Sequence, residues 1–306
     1  MTIGISVNVG LNKVKSTVFS APPLLGCEED AKAMFKIARS RGFDQTRSKL
    51  LLGDAATFDA VKNAVSKAAE VLNSGDLFFF SFAGHGTFKV LNSAAEEPDR
   101  HDESIVLSDH FMIDNFWRNK LWPKFKAGVR IIAVADCCHA ETALFSLVNE
   151  SVVPAVSAAV NAVSPGGVWP SGFGITERVL PQPQQRPSGK EVATPKFRLI
   201  TSAERQKELS QFPQFYESQA AGSLEEIKAT RIFLSACKDD QKAADGKPNG
   251  AFTAALLKVW NNGNFSEDYN ALIARVRAGF AGPNQTPVLT RIGTPDFSSE
   301  QPFKIQ

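Results

Sequence analysis

The chain has 306 residues, 43% of them hydrophobic, and a formal net charge of +2. That is enough apolar material for one large or two ordinary cores, while so small and dispersed a charge builds no basic patch for nucleic acid. No apolar run approaches the roughly 20 residues that cross a bilayer, so no membrane partner is expected.

Four cysteines, two of them adjacent, make no disulfide framework and point to a reducing cytoplasm. The first residues, MTIGISVNVG, enter a strand at once and lack the charged start and cleavage site of a signal peptide.

Residues 3–9 read as the first strand. Glu28 to Arg41 reads as a helix, with Ala31, Met34, Phe35 and Ala38 at helical spacing. A short strand over Leu50 to Leu52 follows. Thr57 then caps a helix through about Asn73, striped by Phe58, Val61, Val65 and Leu72. Ser74-Gly75-Asp76 turns the chain into a strand over Leu77 to Phe82. Ile105 to Leu107, Ile131 to Ala135 and Arg231 to Ala236 complete the strands, and helices are expected near 140–149, 251–261 and 266–279. Strands alternating with helices predict an α/β fold with a mainly parallel central sheet and helices on both faces. Ser164 to Pro195 breaks the pattern, with six Pro and five Gly in 32 residues and no apolar periodicity. Such a stretch cannot recover its ordering entropy by burial, and reads as a mobile insertion.

Two apolar runs end abruptly in reactive side chains. FFFSFAGHG delivers His85, and IIAVADCCHA delivers Cys138, 53 positions later. Sites in open α/β sheets lie beyond the carboxyl ends of the strands, so a thiol and a base can meet there. Strand alternation puts Ile131, Ala133, Ala135 and Cys137 on one face, and Ile132, Val134, Asp136 and Cys138 on the other. Cys137 therefore reads as a core residue. The strand-to-helix junction favours the Cys138 thiolate. Gly86 and Cys138 carry the backbone N–H groups expected to face a developing oxyanion. A zinc site from Cys137, Cys138, His139 and His85 is disfavoured, because three consecutive residues do not converge on one tetrahedral ion.

Several segments resemble the caspase-like cysteine peptidases, on the metacaspase side. Asp136-Cys137-Cys138-His139 is similar to the Asp-x-Cys-His nucleophile segment, and Gly84-His85-Gly86 to the His-Gly segment. Gly26-Cys27-Glu28-Glu29-Asp30-Ala31 resembles the stretch after the first strand. Ser235 to Gln241 with Gly250-Ala251-Phe252-Thr253 resembles the start of the small-subunit half, and Gln285-Thr286-Pro287 its close. The resemblance implies a large-subunit-like half over 1–149, an insertion over 150–229 and a small-subunit-like half over 230–306.

It also implies cleavage after Arg or Lys in protein substrates, through an acyl-enzyme on Cys138 with His85 as its base. Asp30 and Asp136 would line the pocket for the basic residue, with Cys27 as a wall. Ala83 stands where many metacaspases carry Ser. Paired carboxylates select a cation, and Arg over Lys where a bidentate grip is possible.

Calcium ligands in the family correspond to Asp102 and Asp114, near Asp109. Asn115 and Phe145 replace acidic residues, so the calcium site is incomplete and no cofactor is expected. A zymogen follows from the exposed insertion, rich in basic residues that include Lys196, Arg198 and Arg205. It would be cut by the enzyme itself or by an upstream protease. The rival readings are an Asp-specific caspase-type enzyme, a non-catalytic caspase-like scaffold, and a thiol transferase or redox protein.

Overall fold

A computed structural model describes residues 2–90, 101–138, 196–222, 225–238, 241–280 and 285–306. The expected helix at 140–149, the Pro/Gly-rich stretch, His139 and Phe145 lie outside the described residues. A six-stranded sheet is built from β1 (Gly4–Gly10), β2 (Lys49–Leu52), β3 (Leu77–Ala83), β7 (Arg130–Asp136), β9 (Thr230–Ser235) and β10 (Val288–Ile292). Its order is β10-β9-β7-β3-β1-β2, and only β10 runs antiparallel to its neighbour. A smaller sheet combines β4 (Gly86–Val90), β5 (His101–Val106), β6 (Phe111–Ile113) and β8 (Leu199–Ile200) in the order β6-β5-β4-β8.

Alternation along the central strands divides the core in two. Ile5, Val7, Val9, Phe78, Phe80, Phe82, Ile131, Ala133 and Phe233 face one apolar cluster. Helix α2 (Phe58–Val71) covers it, with Thr57 Oγ1 accepting the Ala60 amide as the expected cap. Phe79, Ile132, Val134, Ile232 and Leu234 face the other. That side is covered by α1 (Cys27–Ser40), α5 (Ala251–Trp260) and α6 (Tyr269–Ala278). Strands buried on both faces explain why β3 and β7 read as unbroken apolar runs. Each fully buried Phe of β3 contributes about 2–3 kcal/mol of apolar transfer. Among the described residues, no helix is long and apolar enough to cross a membrane.

The structure corrects the extent of the insertion. Residues 196–222, expected to belong to an exposed 150–229 segment, pack against the core. Leu199–Ile200 joins β4, and α3 (Ser202–Gln211) and α4 (Pro213–Ala220) follow. Thr201 Oγ1 caps α3 by accepting the Glu204 amide, and Pro213 opens α4. Arg198 and Arg205, expected to be open to proteases, are fully buried. Both helices are polar in sequence, and few apolar positions announce them.

Leu209, Phe212, Phe215 and Tyr216 pack them on the core, and hydrogen bonds tie them to the edge strand β6. The Tyr216 hydroxyl accepts from Phe111 N at 3.0 Å and donates to Glu208 Oε1. The Gln219 amide accepts from Ile113 N at 3.1 Å and donates to Phe111 O at 3.0 Å. Gln219 thus replaces a missing strand for two buried backbone groups. We expect Gln219→Ala to lower stability by about 2–4 kcal/mol in urea unfolding, because each orphaned group costs about 1–3 kcal/mol. A loss under 0.5 kcal/mol would show that water replaces the side chain.

Candidate active site

The register of two parallel strands delivers the reactive pair. Ala83 of β3 lies opposite Asp136 of β7, so His85 and Cys138 each follow two residues beyond that last matched pair. Gly86 then opens β4 against the end of β7. A Cβ on Gly86 would meet Cys138 O at 2.0 Å, so only glycine allows this approach. Alternation holds past the strand end. Cys137 sits in the core cluster with Phe80 and Phe233, whereas Cys138 faces the opposite side.

The Cys138 Sγ accepts the Ala243 amide at 3.1 Å. His85 Nε2 lies 2.8 Å from Pro22 O. A carbonyl only accepts, so Nε2 carries the hydrogen. The buried Nδ1 has no partner among the described residues, which leaves its lone pair free for a proton.

One residue occupies the space in front of this pair. Arg198 O accepts from Gly86 N at 2.9 Å and from Cys138 N at 3.3 Å. Its own N donates to Ala243 O at 3.1 Å, and Asp245 N donates to Lys196 O at 2.9 Å. The segment therefore lies as an antiparallel strand on the loop 243–245, with Phe197 opposite Ala244. The side chain enters a pocket made of three carboxylates. One terminal nitrogen pairs with Asp136, at 2.9 Å from Oδ1 and 2.9 Å from the backbone O. The other pairs with Asp30 Oδ2 at 2.5 Å and Asp245 Oδ1 at 3.1 Å.

The carboxylates are held in turn. Asp30 accepts from Asn249 Nδ2 and Gly250 N, Asp136 Oδ2 from Thr253 N and Oγ1, and Asp245 from the amides of Leu25 and Gly26. A Cβ at Gly250 would lie 2.4 Å from the guanidinium, so that glycine keeps the pocket open. Cys27 and Ala83, with Leu24, form a small apolar cluster beside it. A cavity of about 10 Å³, room for one water, lies between Asp30, Ser81, Ala83, Asp136 and Thr253.

Burial dominates the electrostatics. It raises Asp30 to about 7, helped by the neighbouring Asp136 charge and opposed by Arg198. It raises the Cys138 thiol to about 11, although the amides of Ala243 and Arg198 pull the other way. It lowers His85, against the contact with Pro22 O, and the Arg198 charge adds to the lowering. For Arg198 itself burial acts to lower the pKa, but the charges of Asp136, Cys27 and Asp30 outweigh it and raise the value. Burial thus favours the neutral form of both the thiol and the imidazole.

Of the residues marked in the sequence, the amides of Gly86 and Cys138 meet the Arg198 carbonyl, Asp30 and Asp136 meet its side chain, and His85 lies at the adjoining strand end. Cys27 and Ala83 lie beside that pocket, while the calcium candidates make other contacts. Asp109 Oδ1 accepts from Phe58 N at the start of α2, and Asp114 Oδ1 from Asn115 N. The Asp102 side chain lies outside the described residues. Among the described residues, no three His, Cys, Asp or Glu side chains are arranged to hold a metal ion. Sequence reasoning missed Asp245, Pro22, Ala243 and the placement of Arg198. Asp245 lies in a polar loop between two recognisable segments, and no spacing marks it.

The family model described as a caspase domain matches residues 8–302. The chain is 24% identical over 258 residues to Metacaspase-1 of Mycosarcoma maydis, covering 78% of this chain and 58% of that protein. It thus spans less than two thirds of that relative. It is 26% identical over 278 residues to Metacaspase-9 of Arabidopsis thaliana, covering 83% of each. A crystal structure of a Geobacter sulfurreducens protein superposes with a TM-score of 0.73 at 29% identity over 99% of both chains. Caspase-1 of Spodoptera frugiperda shares the fold, with a TM-score of 0.50, 12% identity and coverage of 98% of this chain and 92% of that one. A thiol and an imidazole at neighbouring strand ends, on this fold and within this match, place the chain in the caspase-domain family of cysteine peptidases.

Proposed function

We propose that the protein is a cysteine endopeptidase that cuts after Arg, and that its first substrate is its own Arg198–Leu199 bond. The observation that carries the reading is Arg198 itself. Its carbonyl accepts from two amides beside Cys138, while its guanidinium fills a carboxylate pocket. A peptide bound for attack needs both contacts.

Cys138 gives up its proton to Nδ1 of His85, and its sulfur attacks the carbonyl carbon. The C–S bond forms and the oxyanion is held by the N–H groups of Gly86 and Cys138. Collapse breaks the C–N bond, and the imidazolium returns the proton to the leaving amine. Water, deprotonated by His85, then splits the thioester to release an Arg carboxylate and free thiol. Protein substrates with a basic residue before the cut would follow the same course.

The uncut chain would be a zymogen, because its own residues fill the site that other substrates need. Control would therefore lie at Arg198, and no upstream protease is required. An Asp before the cut would face Asp30, Asp136 and Asp245, which disfavours the Asp-specific alternative. We further propose that calcium is dispensable, and that four buried cysteines outside any disulfide suit a reducing cytoplasm.

Incubated in EDTA, the wild-type chain should yield a fragment beginning at Leu199. Cys138→Ala and His85→Ala should not, since loss of such a group costs roughly 10⁴- to 10⁶-fold, whereas Cys137→Ala should still cut. N-terminal sequencing that finds no Leu199 terminus in wild type, or finds one in Cys138→Ala, removes the assignment. An intact wild type that cuts only after calcium is added would restore the metal.

Asp30→Ala and Asp136→Ala should cripple cleavage of Arg peptides by roughly 2–5 kcal/mol, because a desolvated cation loses its partner. Asp245→Asn should narrow the preference for Arg over Lys, since an ammonium cannot offer two separated nitrogens to opposite walls. Preferred cleavage after Asp in a peptide panel would favour the caspase alternative.

The raised pKa of Asp30 gives the pH dependence a sign. Burial stabilises its neutral form, and an incoming guanidinium favours the charged one. Arg peptides should therefore bind more tightly as pH rises from about 7. KM for an Arg peptide that is flat between pH 6 and 9 would show that Asp30 stays ionised throughout.

A further inference from the structure

The ladder that holds Arg198 also fixes the residue before it. Phe197 and Ala244 face each other as the pair flanked by the bonds Arg198 N to Ala243 O and Asp245 N to Lys196 O. In such a pair the side chains stand close on one face of the ladder. Alternation then puts Arg198 and Asp245 on the opposite face, where their ion pair forms. It puts Lys242, two positions before Ala244, on the same face as Phe197 and diagonal to it. A long side chain spans that diagonal. Lys242 Nζ lies 5.4 Å from the centre of the Phe197 ring. Ala244 supplies a small floor beneath the ring, and its amide is anchored by Gln285 Oε1 at 3.1 Å.

The loop is tied to the chemistry as well. Ala243, between these two residues, donates its N–H to Cys138 Sγ. Phe197 keeps 39% of its surface exposed, so burial alone does not account for an aromatic at this place.

We propose that the enzyme reads an aromatic residue immediately before the cleaved Arg, and that Lys242 and Ala244 form the subsite. The proposal rests on the peptidase reading above and names its substrate class. The ammonium lies over the negative face of the ring, an attraction that the quadrupole of an aromatic side chain offers and an aliphatic one does not. A basic side chain at the same place meets like charge. An acidic one can pair with Lys242, but it would hang in solvent, where such pairs contribute little. The chain's own residue at this position is aromatic.

The test uses the full-length, self-processed protein and peptides that differ only in Phe, Ala, Glu or Lys before the Arg. For wild type, kcat/KM should be highest for Phe, about two- to fivefold above Ala as expected for an exposed cation–π contact, and lowest for Lys. In Lys242→Met the Phe-to-Ala ratio should fall toward one. In Ala244→Leu, which fills the floor, it should fall through KM. In the chain itself, Phe197→Ala should slow appearance of the Leu199 terminus by a similar factor. Equal rates for Phe and Ala, a preference for Glu, or a ratio unmoved by Lys242→Met would each overturn the subsite while leaving an Arg-directed peptidase. Failure to cut any Arg peptide would remove both readings together.

Discussion

A fully buried guanidinium organises the candidate-site end of this molecule. Taking a cation out of water costs several kcal/mol, and the loss is offset only by close, well-oriented anions. Here three carboxylates meet it, from α1, from the end of β7 and from the loop before α5. The dependence is mutual. Without Arg198 the three carboxylates would stand as like charges in a desolvated space. Even with it, Asp30 is pushed up to about 7 by burial and by Asp136.

The same cluster ties together segments that lie far apart in the chain. Asp245 bonds the amides of Leu25 and Gly26, just before α1, and Asp30 bonds the amide of Gly250, just before α5. Asp136 bonds Thr253 in the first turn of α5. Pro22, whose carbonyl orients His85, belongs to the loop that Asp245 pins. A change in the pocket therefore reaches the imidazole through a short run of backbone.

Strand register does the rest. One ladder, from Ala83 and Asp136 onward, sets where β3 and β7 end. A second, from Gly86 to Leu199, lays the inner segment beside β4 so that the bond from Gly86 to the Arg198 carbonyl is also a sheet hydrogen bond. The contact that the proposed mechanism uses for the oxyanion is thus also a sheet hydrogen bond. The backbone on both sides of the Arg198–Leu199 bond is held, upstream by loop 243–245 and downstream by β4.

Much of this was legible in the residues alone. The apolar runs of β3 and β7 announced buried parallel strands, and their abrupt ends announced that His85 and Cys138 follow at strand ends. Alternation, a local rule, separated Cys137 from Cys138 without any tertiary information. Thr57 and the stripe of α2 declared that helix. Local signals failed where partners are remote. Helices α3 and α4 are polar, and they are fixed by Tyr216 and Gln219 bonding a strand edge about a hundred residues away. Their sequence therefore resembles a solvated linker. Asp245 looked like any loop aspartate, and Arg198 like one exposed basic residue among several. Sequence determines which side chains can ionise, attack or pack. Only the folded chain decides which charges share a space without water, because that depends on distances across the fold.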